Sequence, residues 1–288
     1  MTLGLPTVSI VIPSYNAEAF LKDSVSSCLA QTYTDLEVLV VDHGSTDGTR
    51  ALLARLSAGD SRVRCIPMAA NTGRPAVARN VGLQAAKGEF VAFLDADDRW
   101  TKGKLADQVS VMRAHSKVVM TFSVLRYFGN TRLTSVDYGL RPFPFAVPLD
   151  SQGLEHRSTV PLSGSLCRLS VVRSIGGFDE RPEMTAVEDY DLFLRLADTG
   201  PLAFVPRIHG GYRVHRNSLS RDYQAQDLRI RRLLSERNPQ LQWKGLKQRH
   251  VAGLLVRNLI HLGATHWLQL RESADRLLSR PVPVQITH

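Results

Sequence analysis

Apolar and polar residues alternate in blocks along the first hundred positions. Short apolar runs at residues 8–12, 37–41, 63–68 and 89–94 predict four strands. Between them, apolar residues recur at helical spacing over 17–31, over 75–87 and in a shorter stretch from residue 49. Strands that alternate with helices over so short a length form right-handed βαβ units. The pattern therefore predicts an α/β fold with a mostly parallel sheet flanked by helices.

The pattern changes after residue 118. Residues 127–161 are rich in proline, glycine and polar residues, which is typical of long surface loops. A helix is predicted over residues 186–196, starting near Glu188 and Asp189. The chain after residue 223 is predicted to be helical, with an apolar stripe between residues 251 and 262. The second half thus predicts a less regular layer followed by a C-terminal helical extension.

Polar and acidic residues follow three of the four predicted strands. Ser14 and Asn16 follow the first strand, Asp42 and His43 the second, and the segment DADD at residues 95–98 the fourth. Ligands bind beyond the carboxyl ends of the strands in open α/β sheets, so we expect these residues to meet at one edge. Asn16 also precedes the first predicted helix and is an expected N-cap.

Several well-known site motifs are absent from the sequence. It contains no phosphate-binding G-x-x-x-x-G-K-[ST] loop, no dinucleotide fingerprint and no G-x-S-x-G nucleophile elbow. Arg99 and Trp100 follow DADD, where an EF-hand loop needs a glycine. What remains is a D-x-D pattern at the end of a buried strand. Its carboxylates suit Mg²⁺ or Mn²⁺, but a solvated acidic loop with helix-capping aspartates explains the same pattern.

Five segments of the chain together carry a family resemblance. They are VSIVIPSYNAE, LEVLVVDHGSTDGT, RPAVARNVGLQAAKGEFVAFLDADDRW, GGFDE and VEDYDLFLRL, in that order. They resemble family 2 glycosyltransferases with the GT-A fold over about residues 7–220. The resemblance implies a Rossmann-like GT-A catalytic domain at 1–220, with a nucleotide-binding half at 1–98 and an acceptor-side half at 99–220. A basic helical extension would follow at 221–288.

The resemblance also implies a reaction. One sugar would move, with inversion, from a nucleotide-diphosphate sugar, expected to be a UDP-sugar, to a hydroxyl of a glycan or lipid-linked acceptor. Such a reaction belongs to cell-surface polysaccharide or glycolipid synthesis. A divalent cation, Mg²⁺ or Mn²⁺, would stabilise the charge that develops on the departing diphosphate. The Q-x-x-R-W motif of processive synthases is missing, which favours a single addition.

The resemblance assigns the donor side to named residues. Asp97 matches the direct metal ligand and His215 a further ligand, while Asp95 matches the position that faces the ribose or the water shell of the metal. The expected nucleotide-sugar contacts are Pro13, Ser14, Tyr15, Asn16, Asp42, His43, Arg79, Asp95 and Ala96. A packing role for Tyr15 and solvated positions for Arg79 and His215 are open alternatives.

The acceptor side depends on two neighbouring acids. An in-line displacement needs a base opposite the leaving group, and Asp189 matches that base in the family. Glu188 would contact the acceptor. Both acids would also interact favourably with a helix dipole without any catalytic role. Asp98 is expected to support its neighbours or to cap the segment that follows it.

One position departs from the family pattern. Two consecutive acids are common after the second strand, but here His43 follows Asp42. The usual carboxylate accepts the N3–H of uracil, which a neutral imidazole does in only one tautomer. We expect His43 to contact the base, and its presence leaves dTDP and GDP open besides UDP.

Positive charge is concentrated at the C-terminal end. Residues 207–288 hold 15 Lys and Arg against 5 Asp and Glu, whereas residues 1–98 hold 8 against 11, within a net charge of +9. No nucleic-acid-binding motif accompanies these charges, so nucleic acid is not an expected partner. A basic amphipathic helix suits an anionic membrane surface. Because the sequence shows neither a spanning run nor a signal peptide, we expect a cytoplasmic protein with a peripheral contact at the inner face of the cell membrane.

A catalytically silent relative that binds nucleotides or a partner enzyme is the competing interpretation. His43 favours it. The joint presence of Asp95, Asp97 and Asp189 favours an active enzyme, because a scaffold has no chemical need for separated acids. Neither the sugar nor the acceptor follows from the sequence.

Overall fold

A ten-stranded sheet organises the chain in the computed structural model, which describes residues 6–129, 137–138, 160–215, 223–238 and 285–286. The strands are β1 (Val8–Ser14), β2 (Leu36–Asp42), β3 (Val63–Pro67), β4 (Phe90–Phe93), β5 (Arg99–Trp100), β6 (Met120–Gly129), β7 (Asp137–Tyr138), β8 (Ser165–Arg168), β9 (Leu202–Val214) and β10 (Gln285–Ile286). The helices are α1 (Leu21–Leu29), α2 (Thr49–Gly59), α3 (Pro75–Ala85), α4 (Lys104–Ala114), α5 (Leu169–Ser174), α6 (Glu188–Thr199) and α7 (Tyr223–Arg237). The strand order is β10-β9-β6-β8-β4-β1-β2-β3, with β5 paired to β9 and β7 to β6.

The four strands predicted from the apolar runs form one parallel block. Val8 at the start of β1 lies opposite Leu36 of β2 and Phe90 of β4, and β3 pairs with β2 in the same direction. Every residue of β2 is buried, as expected for a strand covered on both faces. The predicted α/β class, with a mostly parallel sheet flanked by helices, is confirmed.

The second half of the chain extends this block with mixed pairing. β8 runs antiparallel to both β4 and β6, whereas β6 and β9 are parallel. The short strand β5, just after the acidic segment, pairs with Gly210 and Gly211 of β9. A Cβ atom at Gly210 would lie 2.5 Å from the carbonyl oxygen of Arg99, so this close approach requires glycine. β9 is thereby brought beside the acidic segment.

The prediction that Asn16 caps the first helix is wrong. α1 begins at Leu21 and Phe20 precedes it. Asn16 has a φ of 47°, in the left-handed region, and its Oδ1 accepts a hydrogen bond from the N–H of Thr46 at 2.8 Å. The short polar side chain therefore joins the loop after β1 to the loop after β2.

The chain falls into two compact units, Met1–Asn217 with Val284–His288, and Ser218–Pro283. The first contains the sheet, and α7 lies in the second. The predicted divisions at residues 98 and 220 stay predictions. The apolar stripe at 251–262 and most of the 127–161 loops lie outside the described residues. Within the described ranges, no helix combines the length and apolar character that a membrane span requires.

Candidate active site

The carboxyl ends of β1, β2 and β4 meet at one edge of the sheet. Ser14, the last residue of β1, lies opposite Asp42, the last residue of β2, and the N–H of His43 donates to the Ser14 carbonyl at 2.8 Å. On the other side of β1, the N–H of Leu94 donates to the Val11 carbonyl at 3.1 Å. The polar residues that follow these three strands therefore lie together.

The loop after β1 carries one polar group without a partner in the described structure. Tyr15 is 46% exposed, so part of its side chain is accessible to a ligand, and its contact with the nucleoside stays a prediction. Pro13 is half-buried beside it. The Ser14 hydroxyl is buried and has no hydrogen-bond partner among the residues that the structure describes. An unpartnered buried hydroxyl is costly, so this loop has unused hydrogen-bonding capacity.

Asp42 and His43 are both engaged within the fold. Asp42 is fully buried, and its carboxylate accepts hydrogen bonds from the Ser45 N–H at 3.1 Å and from Arg50 Nε at 2.7 Å. Nε2 of His43 accepts the N–H of Thr72 at 3.1 Å. Burial lowers the pKa of His43, which favours the neutral ring. Because Nε2 accepts, the proton of the neutral ring lies on Nδ1. The contact of His43 with the base stays a prediction.

The acidic segment after β4 is held by residues from distant parts of the chain. Asp97 Oδ2 lies 2.8 Å from Nε2 of His215. The buried Asp98 carboxylate accepts the Ser163 hydroxyl at 2.7 Å and the N–H of Arg213 at 2.8 Å. Burial, together with the neighbouring acids, raises the pKa of Asp97 and raises that of Asp98 well above its usual value. The raised pKa values mean that these contacts do not fully compensate the ionised carboxylates.

A divalent cation fits this arrangement. Asp97 supplies a carboxylate oxygen and His215 an imidazole nitrogen at contact distance from each other, and Ala96 is buried before them. No three His, Cys, Asp or Glu side chains are grouped to hold a metal in the part of the chain that the structure describes. A carboxylate completed by water and phosphate oxygens matches the way proteins hold Mg²⁺, whereas an imidazole ligand favours a transition metal such as Mn²⁺.

Arg79 joins the acidic segment to the start of α6. Its Nη2 lies 2.9 Å from Oδ1 of Asp95, and its Nη1 lies 2.5 Å from Oε1 of Glu188. Burial opposes the charged guanidinium, but the two carboxylates more than offset this and raise the pKa of Arg79. The solvated alternative for Arg79 is therefore wrong, and its contact with a diphosphate stays a prediction.

The start of α6 presents two carboxylates in different environments. Ala186, just before it, has a φ of 68°, a strained conformation of the kind found near functional sites. Burial and the neighbouring Glu188 raise the pKa of Asp189 to about 7, although Arg79 opposes them. Oε2 of Glu188 is buried and has no hydrogen-bond partner among the described residues. A pKa in this range allows Asp189 to exchange a proton near neutral pH, and its role as the base stays a prediction.

Ser163 is a site residue that the sequence did not indicate. Its hydroxyl accepts the N–H of Asp95 at 3.1 Å while donating to Asp98, so one side chain fixes both ends of the acidic segment. Nε1 of Trp100 donates to the Ser163 carbonyl at 2.6 Å and holds the serine in place. A single serine beside a predicted loop region carries no motif, so only the fold identifies it.

Asn80 connects two of the five motif segments in the fold. Its Nδ2 donates to the Phe178 carbonyl at 2.8 Å, and the N–H of Phe178 donates back to its Oδ1 at 2.9 Å. Nδ2 also lies 2.8 Å from Oε1 of Glu180. The ARN and GGFDE segments therefore bind each other, which fixes α3 against the loop that leads to α6.

Comparison with known families decides the class of the protein. The family model described as Glycosyl transferase family 2 matches residues 9–175, which is more than half of the 288 residues. The chain belongs to this family. The resemblance carried by the five motifs is confirmed.

Curated glycosyltransferases match part of this family 2 chain. The putative teichuronic acid biosynthesis glycosyltransferase TuaG of Bacillus subtilis is 44% identical over 116 residues, 40% of this chain and 46% of TuaG. The UDP-Glc:alpha-D-GlcNAc-diphosphoundecaprenol beta-1,3-glucosyltransferase WfgD of Escherichia coli is 47% identical over 105 residues, 36% of this chain and 40% of WfgD. The matched stretch spans less than half of each relative.

Solved structures match most of the fold. S. aureus TarS 1-349 in complex with UDP-GlcNAc has a TM-score of 0.62 at 19% identity, covering 82% of this chain and 68% of that one. The mannosyltransferase PcManGT from Pyrobaculum calidifontis, in complex with GDP-Man and Mn2+, has a TM-score of 0.61 at 22% identity, covering 78% and 61%. The expected GT-A type of fold is confirmed.

Proposed function

We propose that this chain is a metal-dependent, inverting glycosyltransferase that moves one sugar from a nucleotide-diphosphate sugar to an acceptor hydroxyl. The observation that carries the proposal is the meeting of Asp95 and Glu188 on one buried arginine, 2.9 Å and 2.5 Å from its nitrogens. This contact brings the acidic segment after β4 beside the helix that begins with Glu188 and Asp189.

The donor is held at the strand ends. Asp97 and His215 would hold a divalent cation, which would neutralise charge on the departing diphosphate. The partly exposed side chain of Tyr15 and the buried hydroxyl of Ser14, which has no hydrogen-bond partner among the described residues, support contacts with the nucleoside. The full donor side comprises Pro13, Ser14, Tyr15, Asn16, Asp42, His43, Arg79, Asp95 and Ala96.

The acceptor is activated by Asp189. Its carboxylate takes the proton of the acceptor hydroxyl while the hydroxyl oxygen bonds to the anomeric carbon of the donor sugar. The bond from that carbon to the diphosphate breaks on the opposite face, and its electron pair leaves with the nucleoside diphosphate, so the configuration inverts. Oε2 of Glu188, buried and without a partner among the described residues, accepts a hydrogen bond from the acceptor.

A UDP-sugar and a lipid-linked or glycan acceptor are the substrates that the relatives support best. WfgD is named for UDP-Glc and a diphosphoundecaprenol acceptor, and TarS was solved with UDP-GlcNAc. The reaction would serve cell-surface polysaccharide or glycolipid synthesis. A lipid-linked acceptor accords with a peripheral contact of the basic 221–288 region at the inner face of the cell membrane.

The test is a panel of UDP-, dTDP- and GDP-sugars with Mg²⁺ or Mn²⁺, scored for nucleotide release with and without lipid extracts that contain polyprenyl-diphosphate sugars. We expect release from at least one donor, dependent on the cation and increased by the extract. Asp97→Asn and Asp189→Asn should both abolish the increase. If no donor is bound or turned over and both variants behave like the parent, a catalytically silent relative is the correct interpretation.

A further inference from the structure

Arg79 connects parts of the chain that are far apart in sequence. Asp95 lies 16 residues from it and Glu188 lies 109 residues from it, yet both carboxylates bind its guanidinium. The Arg79 side chain is 7% exposed and that of Glu188 5%, so the contact between them is shielded from water. Breaking a buried ion pair on one side leaves an uncompensated charge, which costs far more than an exposed pair contributes.

The surroundings of Arg79 hold the guanidinium in this position. It lies over the ring of Phe178, 5.4 Å from the ring centroid. The next residue, Asn80, fixes the Phe178 backbone through hydrogen bonds of 2.8 Å and 2.9 Å. The motif that places Arg79 therefore also places the loop that leads to α6.

We propose that Arg79 is a positioning residue that joins the donor side of the site to the acceptor side, by holding Asp95 and Glu188 on one guanidinium and thereby fixing Asp189 at the start of α6. The proposal rests on the proposed function, because Asp189 is the base in it. It assigns to Arg79 a task that needs no contact with the nucleotide sugar. A lysine cannot replace it, because one ammonium lacks the planar fork that binds two carboxylates.

The charges around Asp189 give this proposal a measurable consequence. Among the described residues, the charges of Glu188, Arg79 and Asp95 act on Asp189, and the Tyr190 N–H donates to its Oδ1 at 2.8 Å. Glu188 and Asp95 favour the protonated acid, whereas Arg79 favours the carboxylate. Removal of Arg79 and removal of the charge on Glu188 should therefore move the titration of Asp189 in opposite directions.

The experiment measures kcat/KM against pH for the parent, Arg79→Met, Arg79→Lys and Glu188→Gln. Because the ionised base is the active form, activity falls as the pH drops below about 7 in the parent. We expect this acid limb to move up by about one pH unit in Arg79→Met and down in Glu188→Gln. In Arg79→Lys the acid limb should move up by less than in Arg79→Met, since lysine keeps the positive charge but lacks the planar fork that binds both carboxylates.

Arg173→Met is the matched control. Arg173 also binds α3, through the Leu83 and Ala86 carbonyls at 2.7 Å, but it contacts none of the acids of the site in the described structure. We expect it to lower the melting temperature and leave the acid limb in place. A limb that moves equally in Arg173→Met would show that loosening α3, not the charge of Arg79, is the cause.

A readout without catalysis separates this proposal from the proposed function. Carboxyl ¹³C titration of labelled aspartate, in the parent and each variant, reports Asp189 directly, with Asp189→Asn to assign the signal. If the parent turns over no donor but the opposite shifts occur, the reaction is wrong and the role of Arg79 holds. If the titration of Asp189 is the same in the parent and Glu188→Gln, the proposal is overturned even if Arg79→Met does not fold.

Discussion

The acidic segment after β4 and the acidic start of α6 are stabilised in different ways. Asp97 and Asp98 contact an imidazole, a hydroxyl and a backbone N–H. The pKa of each is raised by burial and by repulsion from neighbouring acids, Asp95 in both cases and also Asp97 for Asp98. Glu188 instead shares a buried guanidinium with Asp95. In the first group the ionised carboxylates are not fully compensated by the fold, and a bound cation would compensate them, whereas the second group receives its positive charge from Arg79.

Each group is also held by the other half of the chain. Ser163, Arg213 and His215 come from the second half and hold the acids that follow β4. Arg79 comes from the first half and holds Glu188 in the second. The acids of the site are divided between the two halves of the chain. Because each half also holds the acids of the other, the geometry of the site depends on the relative position of the two halves.

The largest expected effect is the loss of the base in the second group. Asp189→Asn keeps the shape of the side chain but cannot take the acceptor proton at neutral pH. We expect turnover to fall by about 10²- to 10⁴-fold. The dissociation constant of the nucleotide should stay within about twofold of the parent, which corresponds to less than about 0.5 kcal/mol of binding free energy. A parallel loss of nucleotide affinity would mean that Asp189 serves the donor side instead. Steady-state rates and calorimetric titration measure the two quantities.

A second prediction separates the two groups of acids by how much each contributes to Mn²⁺ affinity. Asp97→Asn should weaken Mn²⁺ binding by more than the roughly 10–100-fold that loss of an outer-shell contact costs. Glu188→Gln should leave the Mn²⁺ affinity close to that of the parent, because its charge is balanced by Arg79. Electron paramagnetic resonance of free Mn²⁺ measures both, and equal losses would remove the distinction between the groups.

A smaller effect is expected where the two halves meet at Ser163. Ser163→Ala removes the hydroxyl that binds the acidic segment at both ends, and we expect Mn²⁺ affinity to fall by about tenfold. Ser174→Ala is the matched control, because the Ser174 hydroxyl donates to the Val171 carbonyl within its own helix region at 2.9 Å. Unchanged Mn²⁺ affinity in Ser163→Ala would mean that the segment keeps its shape without this contact.

The smallest expected effect concerns the base of the nucleotide. His43→Asp replaces a donor at Nδ1 with an acceptor of the kind that binds the N3–H of uracil. We expect UDP to gain about 0.5–1.5 kcal/mol relative to a nucleotide without that N–H, such as CDP. Competitive binding of the two nucleotides measures the ratio, and an unchanged ratio would show that His43 does not contact the base.

Local periodicity was sufficient to predict the first half of the fold. β1 to β4 and the helices between them lie close to the predicted ranges, because each apolar run is complete within a few neighbouring residues. The position of Asp42, His43 and the acidic segment at one edge followed from the same pattern, since parallel strands end on the same side. Asn16 shows the limit of local patterns. It was predicted to cap the first helix, but its side chain binds the N–H of Thr46, 30 residues away.

The sequence by itself determined the α/β class, the family and the acids available for chemistry, because the apolar runs and the motif residues are encoded locally. The tertiary structure alone decided which groups hold those acids. Ser163 reaches Asp98 across 65 residues and Arg79 reaches Glu188 across 109. A hydrogen bond between such distant residues leaves no periodic trace in the chain, since it depends on where strands from both halves pack.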